Sequence, residues 1–142
     1  MICKDSIAEL LVKKDSRQIL SVGPETSVYE AVEQMERAEV GALMVLAGGR
    51  LVGVISERDY ARRVVLVGRS SRETRVADVM SSPAIFVGPS ATVRESLRLM
   101  TECRIRHLPV VDEGQLCGMV SIGDLVHALL TQAEPKHFVV GS

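Results

Sequence analysis

Gly53-Val-Ile-Ser56-Glu-Arg-Asp59 returns sixty-five residues later as Gly118-Met-Val-Ser121-Ile-Gly-Asp124. The same displacement carries Val22-Gly23-Pro24 onto Val87-Gly88-Pro89 without a gap. It aligns Val28 with Val93, Glu30 with Glu95, Met35 with Met100, Leu43 with Leu108, Val45 with Val110, Gly49 with Gly114 and Leu51 with Leu116. Thirteen identities fall between 19–65 and 84–130, and other pairs trade apolar for apolar, as Val32 with Leu97 and Ile55 with Val120. Gapless agreement over 47 residues marks an internal repeat.

Both copies carry the same local signals. An extended segment (19–22; 85–87) meets a Gly-Pro turn. Ser27-x-x-Glu30 and Thr92-x-x-Glu95 then open a helix as capping boxes. Val28, Val32 and Met35 form its apolar stripe, matched by Val93, Leu97 and Met100. The apolar runs 42–46 and 51–55 are joined by Ala47-Gly48-Gly49-Arg50, and 108–111 and 116–120 by Asp112-Glu113-Gly114-Gln115, which predicts hairpins or adjacent strands. A second helix starts at Ser56 and at Ser121. The fold class is therefore α/β (α+β), two pseudo-symmetric β-α-β-β-α repeats at 19–67 and 84–131. Residues 1–18 hold a leading helix over 6–14, 68–83 are a linker with a short helix at Val76–Met80, and 132–142 are a tail. A repeat of 47 residues is near the size at which a lone core becomes marginal, so the copies are expected to pack as one module.

The whole chain of 142 residues suits one such module. Apolar residues are 46% and charged residues 25%, a globular balance. No apolar run is long enough to span a bilayer and no signal peptide is visible, so a cytoplasmic protein is expected, away from membranes. A net charge of −1, with two Tyr, two Phe and no Trp, argues against nucleic acid. Cys3, Cys103 and Cys117 form no CxxC pair, which disfavours disulfides and structural zinc. Cys103 and Cys117 are expected to be buried. Cys103, His107 and Cys117 lack a fourth ligand, so no metal is expected. His137 lies in the tail.

Ser-x-x-Asp at a strand-to-helix junction has two readings. It is a capping box in its own right. It also stands at the carboxyl end of a strand, where open α/β sheets bind ligands and helix amides favour phosphate. A carboxylate there suits a vicinal diol, and the upstream Gly53 or Gly118 would let backbone approach a ligand. Hydroxyl, anion site and diol acceptor together describe a nucleotide.

Residues 19–130 resemble a tandem pair of cystathionine β-synthase (CBS) domains, a Bateman module. Arg106-His107-Leu108-Pro109-Val110-Val111 also matches that family's second-strand segment. The resemblance implies an adenosine-binding regulatory module with up to two clefts between the repeats. It assigns the ribose to Asp59 and Asp124, ribose or phosphate to Ser56 and Ser121, and the adenine edge to the backbone of Gly41-Ala42-Leu43 and Arg106-His107-Leu108. It implies AMP as the first ligand to consider, with ATP, ADP and NAD as alternatives. A homodimer through the apolar helix faces and an unidentified effector protein are implied as well. The first copy departs from the pattern at Met44, where the second has Pro109, which puts equal occupancy of the sites in doubt.

Residues 58–75 carry Arg58, Arg62, Arg63, Arg69, Arg72 and Arg75 against Asp59 and Glu73. These arginines read as a solvated face and basic loop, with an Asp59–Arg63 surface pair, or as a phosphate clamp in which Arg58, Arg63 and Arg69 take part. The second copy instead has Arg104, Arg106 and His107 where the first has Glu39, Gly41 and Ala42. Unequal sites selective for an anionic nucleotide follow. Ser121, Asp124 and His127 along one helix do not converge as a triad would, so no enzyme is expected. The alternative is a regulator of a partner, for example a redox protein, with vestigial nucleotide sites.

Overall fold

The computed structural model describes residues 6–14 and 20–133. Cys3, Ile19, His137 and the tail from 134 onward lie outside the described residues. The elements in chain order are α1 (Ile7–Lys14), β1 (Ser21–Val22), α2 (Val28–Ala38), β2 (Ala42–Ala47), β3 (Arg50–Ser56), α3 (Glu57–Tyr60), α4 (Val93–Cys103), β4 (His107–Asp112), β5 (Gln115–Ser121) and α5 (Ile122–Ala133). A π-helical turn, Ala61–Val65, extends α3, and a 3₁₀ turn spans Val76–Asp78. Two compact units result: Leu20–Ile85, and a second in which 86–133 is joined by the leading segment 6–14.

The hairpins are set by their turns. Ala47 pairs with Arg50 across Gly48 and Gly49, whose φ values are +58° and +81°. Asp112 pairs with Gln115 across Glu113 and Gly114, at +50° and +79°. Two consecutive left-handed residues give the turn whose twist matches that of paired strands. Each hairpin also carries one irregularity, at Val45/Leu46 and at Val110/Val111, so the repeat extends to the pairing register.

β1 runs parallel to β2 in the first unit, whereas the expected strand at 85–87 is reduced to a single bridge between Val87 and Val110. Pro109 explains the loss. Its counterpart Met44 donates its amide to Leu20 O at 3.3 Å, and proline has no N–H with which to repeat that bond.

Ser27 Oγ accepts from Glu30 N at 3.1 Å and so caps α2. Thr92 and Glu95 form the complete reciprocal box on α4, with both bonds at 3.0 Å. In the first unit Val28, Ala31 and Met35 of α2 bury against Leu43, Val45 and Ile55 of the hairpin. In the second, Val93 and Met100 meet Leu108, Val110, Val120 and Leu125.

Each core is completed by a segment that precedes the other repeat in sequence. Val76 and Val79 join the first core, and Ile7 and Leu10 of α1 join the second. The attachments are the same bond for bond. Val76 N donates to Thr26 O and Ala77 N to Pro24 O, while Ile7 N donates to Ala91 O and Ala8 N to Pro89 O. That register makes Ile7 the counterpart of Val76, Leu11 of Met80 and Val12 of Ser81. Burying two aliphatic side chains from each segment contributes roughly 1.5–3 kcal/mol per side chain.

Ser96 on α4 is fully buried and its hydroxyl has no hydrogen-bond partner among the described residues; the first repeat has Ala31 at that position. An unpaired buried hydroxyl costs about 1–3 kcal/mol. Ser96→Ala is therefore expected to stabilise the protein by about 1 kcal/mol, read as a higher urea midpoint at unchanged m-value.

Candidate functional site

Each hairpin brings the start of its first strand back beside the end of its second. Ala42 pairs with Ser56 and His107 with Ser121. Gly41 O accepts from Glu57 N at 3.0 Å, and Arg106 O from Ile122 N at 2.8 Å. Gly41, Ala42 and Leu43 therefore stand beside Ser56, Arg58 and Asp59 in one unit. Arg106, His107 and Leu108 stand beside Ser121 and Asp124 in the other. Ala42, Leu43 and Leu108 are fully buried, which leaves backbone as what they can offer a ligand.

Both Ser-x-x-Asp motifs form caps. Asp59 N donates to Ser56 Oγ at 3.2 Å, and Ser56 N returns a bond to Asp59 Oδ2 at 2.9 Å. The Ser56 hydroxyl also lies 3.0 Å from that oxygen, and Ser81 Oγ reaches Asp59 Oδ1 at 3.4 Å. Asp59 is only 8% exposed. In the second unit Ser121 N donates to Asp124 Oδ2 at 2.8 Å and Asp124 N to Ser121 Oγ at 3.1 Å. Asp124 is half-buried rather than buried. The two junctions share a plan and differ in how deeply the carboxylate sits.

The arginines divide by partner. Arg63 Nη1 donates to Val79 O at 3.0 Å and Met80 O at 3.2 Å, not to Asp59. Arg69 lies 3.9 Å from Asp78. Arg75 pairs with Glu25 and with Asp78, each at 3.0 Å, and this pairing holds the Asp78 carboxyl below its ordinary range. Arg72 lies 3.8 Å from the centre of the Tyr29 ring. This group braces 69–80 against the first repeat. Arg58 is half-buried at the junction itself, and Arg62 is exposed. On the second repeat Arg104 and Arg106 are exposed and His107 is half-buried.

Two expectations need correction. Gly53 and Gly118 lack side chains for packing, not for a ligand. A Cβ on Gly53 would lie 2.7 Å from Met80 Sδ and 2.8 Å from Ser81 O, and one on Gly118 would lie 3.2 Å from Leu11 Cδ2. Cys103 and Cys117 are exposed, because the last turn of α4 and the Cys117 position of β5 face away from the core. Ser81, at Asp59, was not visible from local pattern. Its one signal was the glycine at 53, which has to face something.

Among the described residues, no group of three or more His, Cys, Asp or Glu is placed to hold a metal, and no helix is long and apolar enough to cross a membrane.

The CBS domain family matches residues 7–66 and 76–131. A mitochondrial CBS domain-containing protein of Arabidopsis thaliana is 45% identical over 109 residues. The alignment covers 73% of this chain and 53% of that relative, so the chain spans about half its length. A protein with CBS domains from Burkholderia ambifaria superposes with a TM-score of 0.89 at 40% identity, covering 96% of this chain and 100% of that one. A CBS domain protein from Pyrobaculum aerophilum, solved in complex with AMP, superposes at 0.76 with 27% identity, covering 89% and 99%. The matched spans take in both hairpins, both Ser-x-x-Asp junctions and both exchanged segments, and the chain belongs to the CBS domain family as a tandem pair of CBS domains.

Proposed function

We propose that this chain is a non-catalytic regulatory CBS pair that binds an adenine nucleotide, AMP first among candidates, and signals by a change of conformation or assembly. The observation that carries this is the doubled junction. In each repeat a strand enters a helix at Ser-x-x-Asp, beside the first backbone groups of the neighbouring strand. A carboxylate accepts two hydroxyls, and the adjacent backbone offers donor and acceptor to a base edge. The Pyrobaculum relative holds AMP on the same fold. Linkage supplies the output: a nucleotide that favours one conformation draws the population toward it. Ile122, Val126, Leu129 and Leu130 leave an apolar stripe exposed along α5, the face assigned here to a second copy in a homodimer.

Arg106 and His107 sit at the second junction where the first has Gly41 and Ala42, so an anionic ligand is favoured there over neutral adenosine. The test is thermal unfolding with adenosine, AMP, ADP, ATP and NAD. A nucleotide at 100 times its dissociation constant is expected to add about 2.7 kcal/mol. Equal responses to adenosine and AMP remove the anionic preference, and no response to any of them removes the nucleotide. One observation favours a second reading, a protein-interaction regulator with vestigial sites: the Asp59 carboxylate is already engaged by Ser56 and Ser81. Partner capture unaffected by nucleotide would select it.

A further inference from the structure

The first repeat grips residues 79–81 through the same helical element that carries its candidate ligand carboxylate. Arg63, one turn beyond Asp59, donates to the carbonyls of Val79 and Met80. Asp59 Oδ1 faces the Ser81 hydroxyl at 3.4 Å. Two backbone bonds complete the attachment, Val54 N to Ser81 O at 3.1 Å and Ser81 N to Val54 O at 2.8 Å. The second repeat keeps the carboxylate, as Asp124, but among the described residues has neither the serine nor the arginine of this arrangement. Val12 stands in for Ser81 and Ala128 for Arg63, and neither side chain has a hydrogen to donate.

We infer that Ser81 is a positioning residue of the first-repeat site, and that Asp59 and Arg63 latch residues 79–81 so that a diol binding Asp59 competes with Ser81 and loosens them. The ligand half of this rests on the nucleotide reading given above. The latch itself does not. A hydroxyl at 3.4 Å from a carboxylate oxygen is beyond the usual 2.5–3.0 Å range for such a bond. It therefore holds the oxygen weakly enough to yield to two ribose hydroxyls. Loss of that contact leaves the segment on Arg63, two backbone bonds, the buried Val79 and the adjoining Ser82 hydroxyl on Val52 O at 2.8 Å, immediately before the chain enters its second repeat.

The test uses the full chain and amide hydrogen exchange at Val54 and Ser81, with Val111, whose amide donates to Val87 O at 2.9 Å, as the reference in the other unit. Without ligand, Arg63→Leu is expected to accelerate exchange at Val54 and Ser81 about 3- to 10-fold, the equivalent of one ordinary hydrogen bond, and Ser81→Ala about 2- to 3-fold, as suits its longer contact. Ser81→Thr is expected to restore the wild-type rate, which a packing role for the serine would not require. Wild-type rates in both Ser81→Ala and Arg63→Leu overturn the latch, whether or not any nucleotide binds. With ligand, AMP is expected to accelerate the same two amides, and 2′,3′-dideoxy-AMP, which lacks the diol, to leave them unchanged. Saturating AMP that binds the chain yet leaves both amides unmoved overturns the competition, whichever carboxylate holds it more tightly. AMP that fails to bind the wild type defeats the nucleotide reading alone, and the ligand-free rates still decide the latch.

Discussion

Gly53→Ala is expected to destabilise the protein by about 2–3 kcal/mol, and Gly118→Ala by less than about 1 kcal/mol, although the glycines hold equivalent positions. The difference lies in what each would strike. A Cβ on Gly53 would meet Met80 Sδ at 2.7 Å and Ser81 O at 2.8 Å. Methionine can turn away. The carbonyl cannot, because it accepts from Val54 N and the neighbouring Ser81 N donates back to Val54 O. Relief would have to break that bridge or lift 79–81 from the strand, and overpacking of this kind costs about 1–3 kcal/mol. The Cβ on Gly118 would meet only the end of Leu11, at 3.2 Å, and a leucine methyl can rotate. Calorimetry should show a melting temperature lowered by roughly 8–12 °C for the first substitution, at about 4 °C per kcal/mol for a chain of this size. Equal, small shifts in the two variants would mean that 79–81 does not bear on β3.

The repeat, the hairpins and the helix starts were legible because each depends on residues close in sequence. Gly48-Gly49 and Glu113-Gly114 meet a local requirement for two left-handed residues. Ser27 and Thr92 cap amides three residues away. What stayed hidden depends on distant partners. Nothing near Val76 says that it belongs to the first core and Ile7 to the second, since either segment is simply apolar and short. Arg63 carries the same charge whether it meets a phosphate or the carbonyls of Val79 and Met80, seventeen residues away at most. The second-repeat strand expected at 85–87 failed for a cause that was in view. Pro109 differs from Met44 not only in side chain but in its missing N–H, which removes a ladder bond from the strand alongside.

Asp59→Ala and Asp124→Ala are expected to separate folding from binding. Removing Asp59 leaves Ser56 N–H and two hydroxyls without their acceptor at a residue that is only 8% exposed. Unsatisfied buried donors cost about 1–3 kcal/mol. The expected loss is about 2–3 kcal/mol, with little of it tied to nucleotide. At Asp124 the carboxylate is half-buried and water can replace the cap, so the loss is about 1 kcal/mol, in the ordinary range for a helix cap. Binding should run the other way. Arg106 places positive charge at the second junction as Arg58 does at the first, and the Asp124 carboxylate lies closer to solvent than that of Asp59. Hydrogen bonds to a charged group are worth about 1.5–3 kcal/mol, so Asp124→Ala should weaken the tighter AMP site about 10- to 100-fold in calorimetric titration. Asp59→Asn keeps an acceptor for Ser56 and is the fair comparison at the first site; it should leave the tight site within about twofold, as expected where two positions do not couple. The opposite pattern, with tight binding lost in Asp59→Asn and kept in Asp124→Ala, would assign the principal site to the first repeat. Nucleotide would then act directly on the element that grips 79–81.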